Sequence, residues 1–366
     1  MQLELIVANL GLFSLGLALL IYGSDVFVES ASKLARNLGV SELFIGLTIV
    51  AIGTSLPEIV ASSTAVIAGK PELAFTNIIG STLINLTLII GVSAIISPLA
   101  SNAVVIDRDA KVMILVIGAL AVFLLDPLTP GVIAIWEAGF LLILFLAYLS
   151  FLITRQEECE SCYQFHVFVD YLIRLRFLTS LRGLFPKPRD MAKSKDQDSS
   201  VESQDQERRR RSESIRGALL VIVSSAFIVL GAQLVVAGSD FITITWGIQE
   251  GVIGLVIVAL GTSLPELTVS VNSARRGFGR LLIGNVIGSN IVNITLGLGL
   301  ISLFIPTTIL LDLGNVVIMF FALAVALIFF YIIRRDWRVT RTEGIFLLIL
   351  FAITQIVTIY LEQFAV

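Results

Sequence analysis

The sequence predicts an all-α polytopic membrane protein, with ten transmembrane helices arranged as two inverted five-helix repeats, and three observations carry that prediction. The first is composition: of 366 residues, 56% are hydrophobic and only 14% charged, against roughly a quarter charged in a soluble domain. The second is the distribution of the apolar residues, which form runs at about 3–22, 41–68, 73–98, 111–126, 131–153, 217–238, 251–272, 281–304, 313–333 and 343–362. Runs of this length suit helices of ~20 residues crossing a ~30 Å hydrocarbon layer, and they lack the alternation of barrel strands. The third is a duplication at an offset of 208 residues: GLTIVAIGTSLPE (46–58) matches GLVIVALGTSLPE (254–266) at eleven of thirteen positions, and NIIGSTLIN (77–85) aligns without a gap to NVIGSNIVN (285–293). A repeat of this kind governs how every other segment is read.

The first run has no basic leader and no small-residue cleavage site before Tyr22-Gly23-Ser24-Asp25, so it reads as a retained helix. Asp25 and Asp240 each end a Gly-Ser-Asp near a predicted span terminus and read as helix caps. Asp107, Asp109, Asp126 and Asp312 fall in predicted loops and read as solvated.

Between the fifth and sixth runs the chain turns hydrophilic, which divides it into a five-helix repeat (1–154), a linker (155–216) and a second five-helix repeat (217–366). The tract DQDSSVESQDQERRRR in the linker reads as disordered. Residues 163–185 interleave Arg174, Arg176 and Arg182 with aromatic and leucine side chains. They suit either a helix lying in the membrane interface or one packed on the bundle. Cys159, Cys162 and His166 offer three zinc ligands where a structural site takes four. Free thiols in a reducing compartment, or lipidation near a helix end, are the other readings. The arginines at 208–211 sit in a mixed-charge linker and give no nucleic-acid footprint.

Basic residues set the orientation, because they are retained on the cytoplasmic side. With the linker inside, 24 of the 25 Lys and Arg residues lie in inside segments, Lys70 being the exception. Both termini are then external. Five spans is an odd number, so the second copy of each motif enters the membrane in the opposite sense to the first.

Glu58 and Glu266 lie midway along the second and seventh runs with no Lys or Arg at that depth. An ionisable group there costs on the order of 3 kcal/mol even on mild insertion scales. Two facing carboxylates without a protein counter-ion call for a cation between them. Pro57 and Pro265 break or kink their helices near Gly53 and Gly261 and free carbonyls at Ala51–Thr54 and Ala259–Thr262. Asn77, Ser81 and Asn85, like Asn285, Ser289 and Asn293, recur at four-residue steps along one helical face. Carboxylate, carbonyl, hydroxyl and amide oxygens are the hard ligands that suit Ca²⁺.

At these motifs the chain resembles the cation/calcium antiporter superfamily, and within it the sodium/calcium exchanger branch. The resemblance rests on duplicated GTSLPE, each followed by a GSxxxN face, and covers nearly all of both halves. It implies calcium ligands at Glu58, Glu266, Thr54 and Thr262, sodium ligands at Ala51, Ser81, Ala259, Ser263 and Ser289, and central polar positions at Asn85 and Asn293. Many relatives carry an aspartate where this chain has Asn293, and those that also carry potassium use an acidic residue on this face, so potassium dependence is not implied. Thr82 stands where the second copy has Asn290. The GNxxE pattern of the proton/calcium branch is absent. From Gly23 to Gly46 is 23 residues, but from Gly238 to Gly254 only 16, a difference worth ~10 Å of helix.

The expectation is an antiporter exchanging Ca²⁺ for Na⁺ by alternating access, with calcium and sodium ions and membrane lipid as partners, no organic cofactor and no enzymatic reaction. A Ca²⁺/H⁺ exchanger using the same glutamates is the alternative, and a cation channel a second one.

Overall fold

The computed structural model of the chain describes residues 2–38, 41–101, 105–154, 164–178, 201–246, 260–309 and 313–364. The first half runs through α1 (Gln2–Leu38), α2 (Glu42–Ile45), a π-helical turn (Gly46–Val50), α3 (Ala51–Thr54), α4 (Leu56–Ile67), α5 (Pro71–Ile84), a second π turn (Asn85–Ile89) and α6 (Ile90–Ile96). It continues with strand β1 (Leu99–Ala100), a π turn (Val105–Ala110), α7 (Lys111–Leu124), β2 (Val132–Ile133) and α8 (Ile135–Thr154). After α9 (Phe165–Ile173) come α10 (Val201–Trp246), α11 (Leu264–Arg275), α12 (Gly279–Val292), a π turn (Asn293–Leu298) and α13 (Gly299–Phe304). Strand β3 (Thr307–Thr308), α14 (Leu313–Asp336), β4 (Arg338–Val339) and α15 (Arg341–Phe364) complete the chain.

Among the described residues, seven helices are long and apolar enough to cross a membrane, and the pair Leu43–Thr54 and Leu56–Ile67, bent by 41°, makes an eighth. Ten were expected. The fourth run yields only the 14-residue α7, ~21 Å long at 1.5 Å per residue, with a π turn ahead of it. Residues 247–259, which include Gly254 and the last part of the shortened stretch before it, lie outside the described residues.

Apolar composition does not mark where helices end. The helix expected over 3–22 continues to Leu38. Past Gly23 it is amphipathic, burying Phe27, Val28, Ala31, Leu34 and Ala35 while Lys33 pairs with Glu29 at 2.6 Å on the exposed face. Likewise α10 begins at Val201, inside the tract expected to be disordered. Acids there precede arginines by four residues (Asp205 and Arg209, Glu207 and Arg211), a spacing that supports helix. Asp25 and Asp240 therefore sit inside helices rather than capping them. Asp25 Oδ1 accepts hydrogen bonds from Asn272 Nδ2 and Arg276 Nη2, both at 2.7 Å, and so ties α1 to the end of α11.

The two long helices pack antiparallel. A Cβ on Gly231 of α10 would stand 2.9 Å from the Gly16 carbonyl of α1, Gly23 faces Ile228, and Gly217 faces Leu34. Around them, α5, α6, α12 and α13 form the enclosed centre, with Phe75, Ile78, Ile79, Leu86 and Ile89 packed in one cluster with Val286, Ile287 and Ile294. Two short antiparallel strand pairs cross between the halves: Leu99 faces Val339 and Ala100 faces Arg338, while Val132 faces Thr308 and Ile133 faces Thr307. The helices after them start alike, with Glu137 Oε2 accepting the Ala134 N–H and Glu343 Oε2 the Thr340 N–H, each at 2.8 Å.

Asp109 is not solvated. It is fully buried, paired with Arg108 Nε at 2.6 Å, and it accepts the Tyr148 hydroxyl at 2.9 Å. The adjacent arginine satisfies it, so no exposure is needed. The described part of the 163–185 segment packs on the bundle: Phe168, Tyr171 and Phe177 are buried, and the Tyr171 and Ser150 hydroxyls lie 2.9 Å apart. Its opposite face leaves Ile173, Leu175 and Leu178 exposed. Cys159, Cys162, Asp312 and Arg182 lie outside the described residues.

At the centre, helix backbones touch. A Cβ on Gly284 would meet the Leu43 carbonyl at 2.8 Å, and one on Gly46 would meet the Leu281 carbonyl at 2.6 Å, so only glycine allows this approach. Gly118 in α7, by contrast, has nothing within 4 Å. Gly284→Val is expected to lower stability by about 1–3 kcal/mol, read as a fall in the melting midpoint of detergent-solubilised protein, while Gly118→Ala leaves the midpoint level or raises it.

Candidate ion-binding site

The bend at Ser55 begins with Pro57, which has no N–H to offer the Gly53 carbonyl, so α3 stops and α4 starts again one residue later. Glu58 then falls in the first turn of α4, and Glu266, behind Pro265, in the first turn of α11. The positive end of a helix dipole favours a carboxylate at each place. Both side chains are completely buried.

The two helix starts brace one another across the halves. Ser263 Oγ donates to Glu58 Oε1 at 3.1 Å, and Ser55 Oγ donates to Glu266 Oε1 at 3.2 Å. Thr262 Oγ1 donates to Asn77 Oδ1 at 3.2 Å, and Thr54 Oγ1 to Asn285 Oδ1 at 3.1 Å. The amides of those asparagines reach back within their own half, Asn77 Nδ2 to Ser62 Oγ at 3.1 Å and Asn285 Nδ2 to Ser270 Oγ at 3.4 Å. Each bond has its counterpart 208 residues away.

Four oxygens at the centre are buried and have no hydrogen-bond partner among the described residues: Glu58 Oε2, Glu266 Oε2, Asn85 Oδ1 and Asn293 Oδ1. Neither glutamate is ion-paired with a described Lys, Arg or His. A buried, unsatisfied polar oxygen costs about 1–3 kcal/mol, and more when charged. Four of them, two belonging to carboxylates, make a set of acceptors that a cation satisfies and a protein donor does not. Both asparagines open π turns, a distortion frequent at functional sites.

The family comparison accords with this geometry. A profile of the sodium/calcium exchanger protein family matches residues 8–154 and 216–360. The chain belongs to the sodium/calcium exchanger family. It is 36% identical over 360 residues to a protein of Methanosarcina acetivorans named sodium/calcium exchanger MaX1, covering 98% of this chain and 100% of that one. It is 32% identical to inner membrane protein YrbG of Escherichia coli, over 81% of this chain and 79% of that one. Among solved structures it resembles the sodium-calcium exchanger NCX_Mj soaked with 2.5 mM Na⁺ and 0.1 mM Ca²⁺, with TM-score 0.73, 30% identity, and coverage of 95% and 97% of the two chains. This is a family of membrane transporters and not of enzymes.

Against that exchanger background, the expected residues divide. Thr54, Ser289 and Glu266 share one hydrogen-bonded cluster, while Ser263 bonds Glu58, Thr262 bonds Asn77, Ser81 bonds Asn293 and Asn85 bonds Asn290. The Ala51 carbonyl, expected to be free, accepts the Ser55 N–H at 3.1 Å, which leaves its second lone pair. Ala259 lies outside the described residues. Of the two Asn-Ser-Asn faces, Asn77 and Asn285 act as braces, while Asn85 and Asn293 keep unpartnered oxygens. Ser55, Ser62, Ser270 and Asn290 had not been singled out as site residues, although Ser62 and Ser270 are identical at the 208-residue offset.

Ser263→Ala, which removes the one serine hydroxyl on Glu58, is expected to weaken the protein by about 1–3 kcal/mol, and Ser55→Ala by less, because the Ser289 hydroxyl stays beside Glu266. Thermal unfolding in detergent, with and without Ca²⁺, measures both.

Proposed function

We propose that the chain is a secondary-active antiporter exchanging Ca²⁺ for Na⁺ by alternating access, with Glu58 and Glu266 as the charge that either cargo neutralises. The observation that carries this reading is the set of four buried oxygens without protein partners, two of them on carboxylates that no described basic side chain neutralises. The donor set is all oxygen, which suits a hard cation. The described residues hold no group of three or more converging His, Cys, Asp or Glu. In this reading Glu58, Glu266, Thr54 and Thr262 hold calcium, while Ala51, Ser81, Ala259, Ser263 and Ser289 contribute to sodium positions, with Asn85 and Asn293 at the centre. An emptied site with two bare carboxylates is costly to carry across an apolar barrier, so reorientation is tied to a bound ion. That coupling yields exchange rather than leak.

The architecture we assign is ten spans in two inverted five-helix repeats, 1–154 and 217–366, joined by 155–216. The fixed offset of the matched hydrogen bonds supports it, and an odd number of spans per repeat supplies the inversion. Such repeats form ion sites where discontinuous helices meet near the midplane. The positions of 24 of the 25 basic residues support a cytoplasmic linker and external termini. The relatives named sodium/calcium exchanger favour sodium as counter-ion.

The test is ⁴⁵Ca²⁺ uptake into sealed proteoliposomes. An outward Na⁺ gradient is expected to drive uptake, a proton gradient to leave it unchanged, and Glu58→Gln or Glu266→Gln to abolish it. Uptake driven by protons instead, or flux that continues with no counter-ion on the far side, would overturn the assignment.

A further inference from the structure

Asn85 and Asn293 occupy matching places, yet their amides are held differently. Asn293 Nδ2 donates to Ser81 Oγ at 3.3 Å. The counterpart bond would run from Asn85 to Ser289, but Asn85 Nδ2 donates instead to Asn290 Oδ1 at 2.9 Å. Asn290 Nδ2 in turn lies 3.5 Å from the Met113 thioether of α7. All three side chains are completely buried. The position matching Asn290 in the first half is Thr82, whose hydroxyl closes on the Ile78 carbonyl of its own helix at 3.0 Å and, among the described residues, on nothing across the bundle.

The order of this relay has a direction. A primary amide can turn over, exchanging its oxygen for its nitrogen, unless its neighbours forbid it. A thioether accepts hydrogen bonds and cannot donate them, so Met113 requires the nitrogen of Asn290. The oxygen of Asn290 then faces Asn85 and requires its nitrogen, which leaves the oxygen of Asn85 unpartnered within the ion site. Turned over, Asn85 would present an N–H₂ group where a cation must sit. We propose that Asn290, polarised by Met113, is the positioning residue that keeps the carbonyl oxygen of Asn85 toward the transported ion.

A second consequence falls on Ser289. With Asn85 held by Asn290, the Ser289 hydroxyl lies 3.4 Å from both Glu266 Oε1 and Thr54 Oγ1. Glu266 thus has two serine hydroxyls beside it, from Ser55 and Ser289, where Glu58 has that of Ser263. One asparagine without a match in the other half makes the two half-sites unequal.

The inference rests on Asn85 facing a bound cation, and the experiment separates the two. Equilibrium binding of ⁴⁵Ca²⁺ to the full chain in detergent gives Kd, and Na⁺-driven uptake in proteoliposomes gives KM and kcat. Met113→Leu conserves volume but removes the acceptor. It is expected to raise Kd and KM for Ca²⁺ about three- to tenfold, the worth of one hydrogen bond, with kcat within about twofold. In an Asn85→Asp background the same change is expected to have no effect, because a carboxylate presents oxygen whichever way it turns. Asn290→Thr, which copies the Thr82 arrangement, is expected to match Met113→Leu. Equal losses from Met113→Leu in both backgrounds would mark a packing role and overturn the proposal, as would no loss in the unaltered background. Failure of Na⁺-driven uptake in the unaltered chain would instead count against the exchange reading, while the binding comparison would still decide the role of Met113 and Asn290.

Discussion

Two carboxylates buried in an apolar bundle without a basic partner among the described residues dictate most of what surrounds them. An uncompensated charge at membrane depth is tolerated only when a bound ion, oriented dipoles or hydrogen-bond donors offset it. Each feature of the centre supplies one of these. Pro57 and Pro265 restart the helices, so that both glutamates sit at positive helix ends. Ser55 and Ser263 lend one donor each across the halves. Glycines at 46 and 284 bring backbones into contact, which draws the two motifs close enough for serine side chains to span the gap. What the protein withholds matters as much: it engages one oxygen of each carboxylate and leaves the other without a hydrogen-bond partner among the described residues.

The two halves share this plan without being copies. The inner bonds, serine to glutamate and threonine to asparagine, repeat faithfully. One helical turn further along, at Asn290 and Thr82, they diverge. A site with two identical halves would present the same oxygens to an ion approaching from either side. The asymmetry here gives the carboxylate of the second half the richer set of donors.

Much of the candidate site was legible in the sequence because a duplicated polar motif inside an apolar run has few structural uses. Glu58, Glu266 and the break at proline could be read from residue type and depth alone. Ser55 is a hydroxyl next to a helix break, a place with many uses, and its reach to the opposite carboxylate depends on how the two halves pack. Ser62 and Ser270 stood in the duplication but outside its densest motif. Asp109 was misread because acidity near a predicted loop suggests solvent, whereas its neighbour Arg108 folds back to neutralise it in the interior. The lengths of α1 and α10 escaped for a related reason: a run of charged residues ends a hydrophobic segment without ending a helix when acids and bases alternate at helical spacing.

The reciprocal serine bonds also set the order in which the protein can be made. Glu58 and the hydroxyl that serves it are 205 residues apart in the chain. At roughly 5–20 residues per second of synthesis, the ribosome reaches Ser263 about 10 to 40 seconds after Glu58. Throughout that interval Ser263 is not yet made, and water, a proton or another donor must serve the Glu58 carboxylate, which would cost on the order of 3 kcal/mol in a membrane interior. Biogenesis therefore finishes in the interior rather than at the surface. The donor that serves the first half's glutamate arrives only when the second half packs against it.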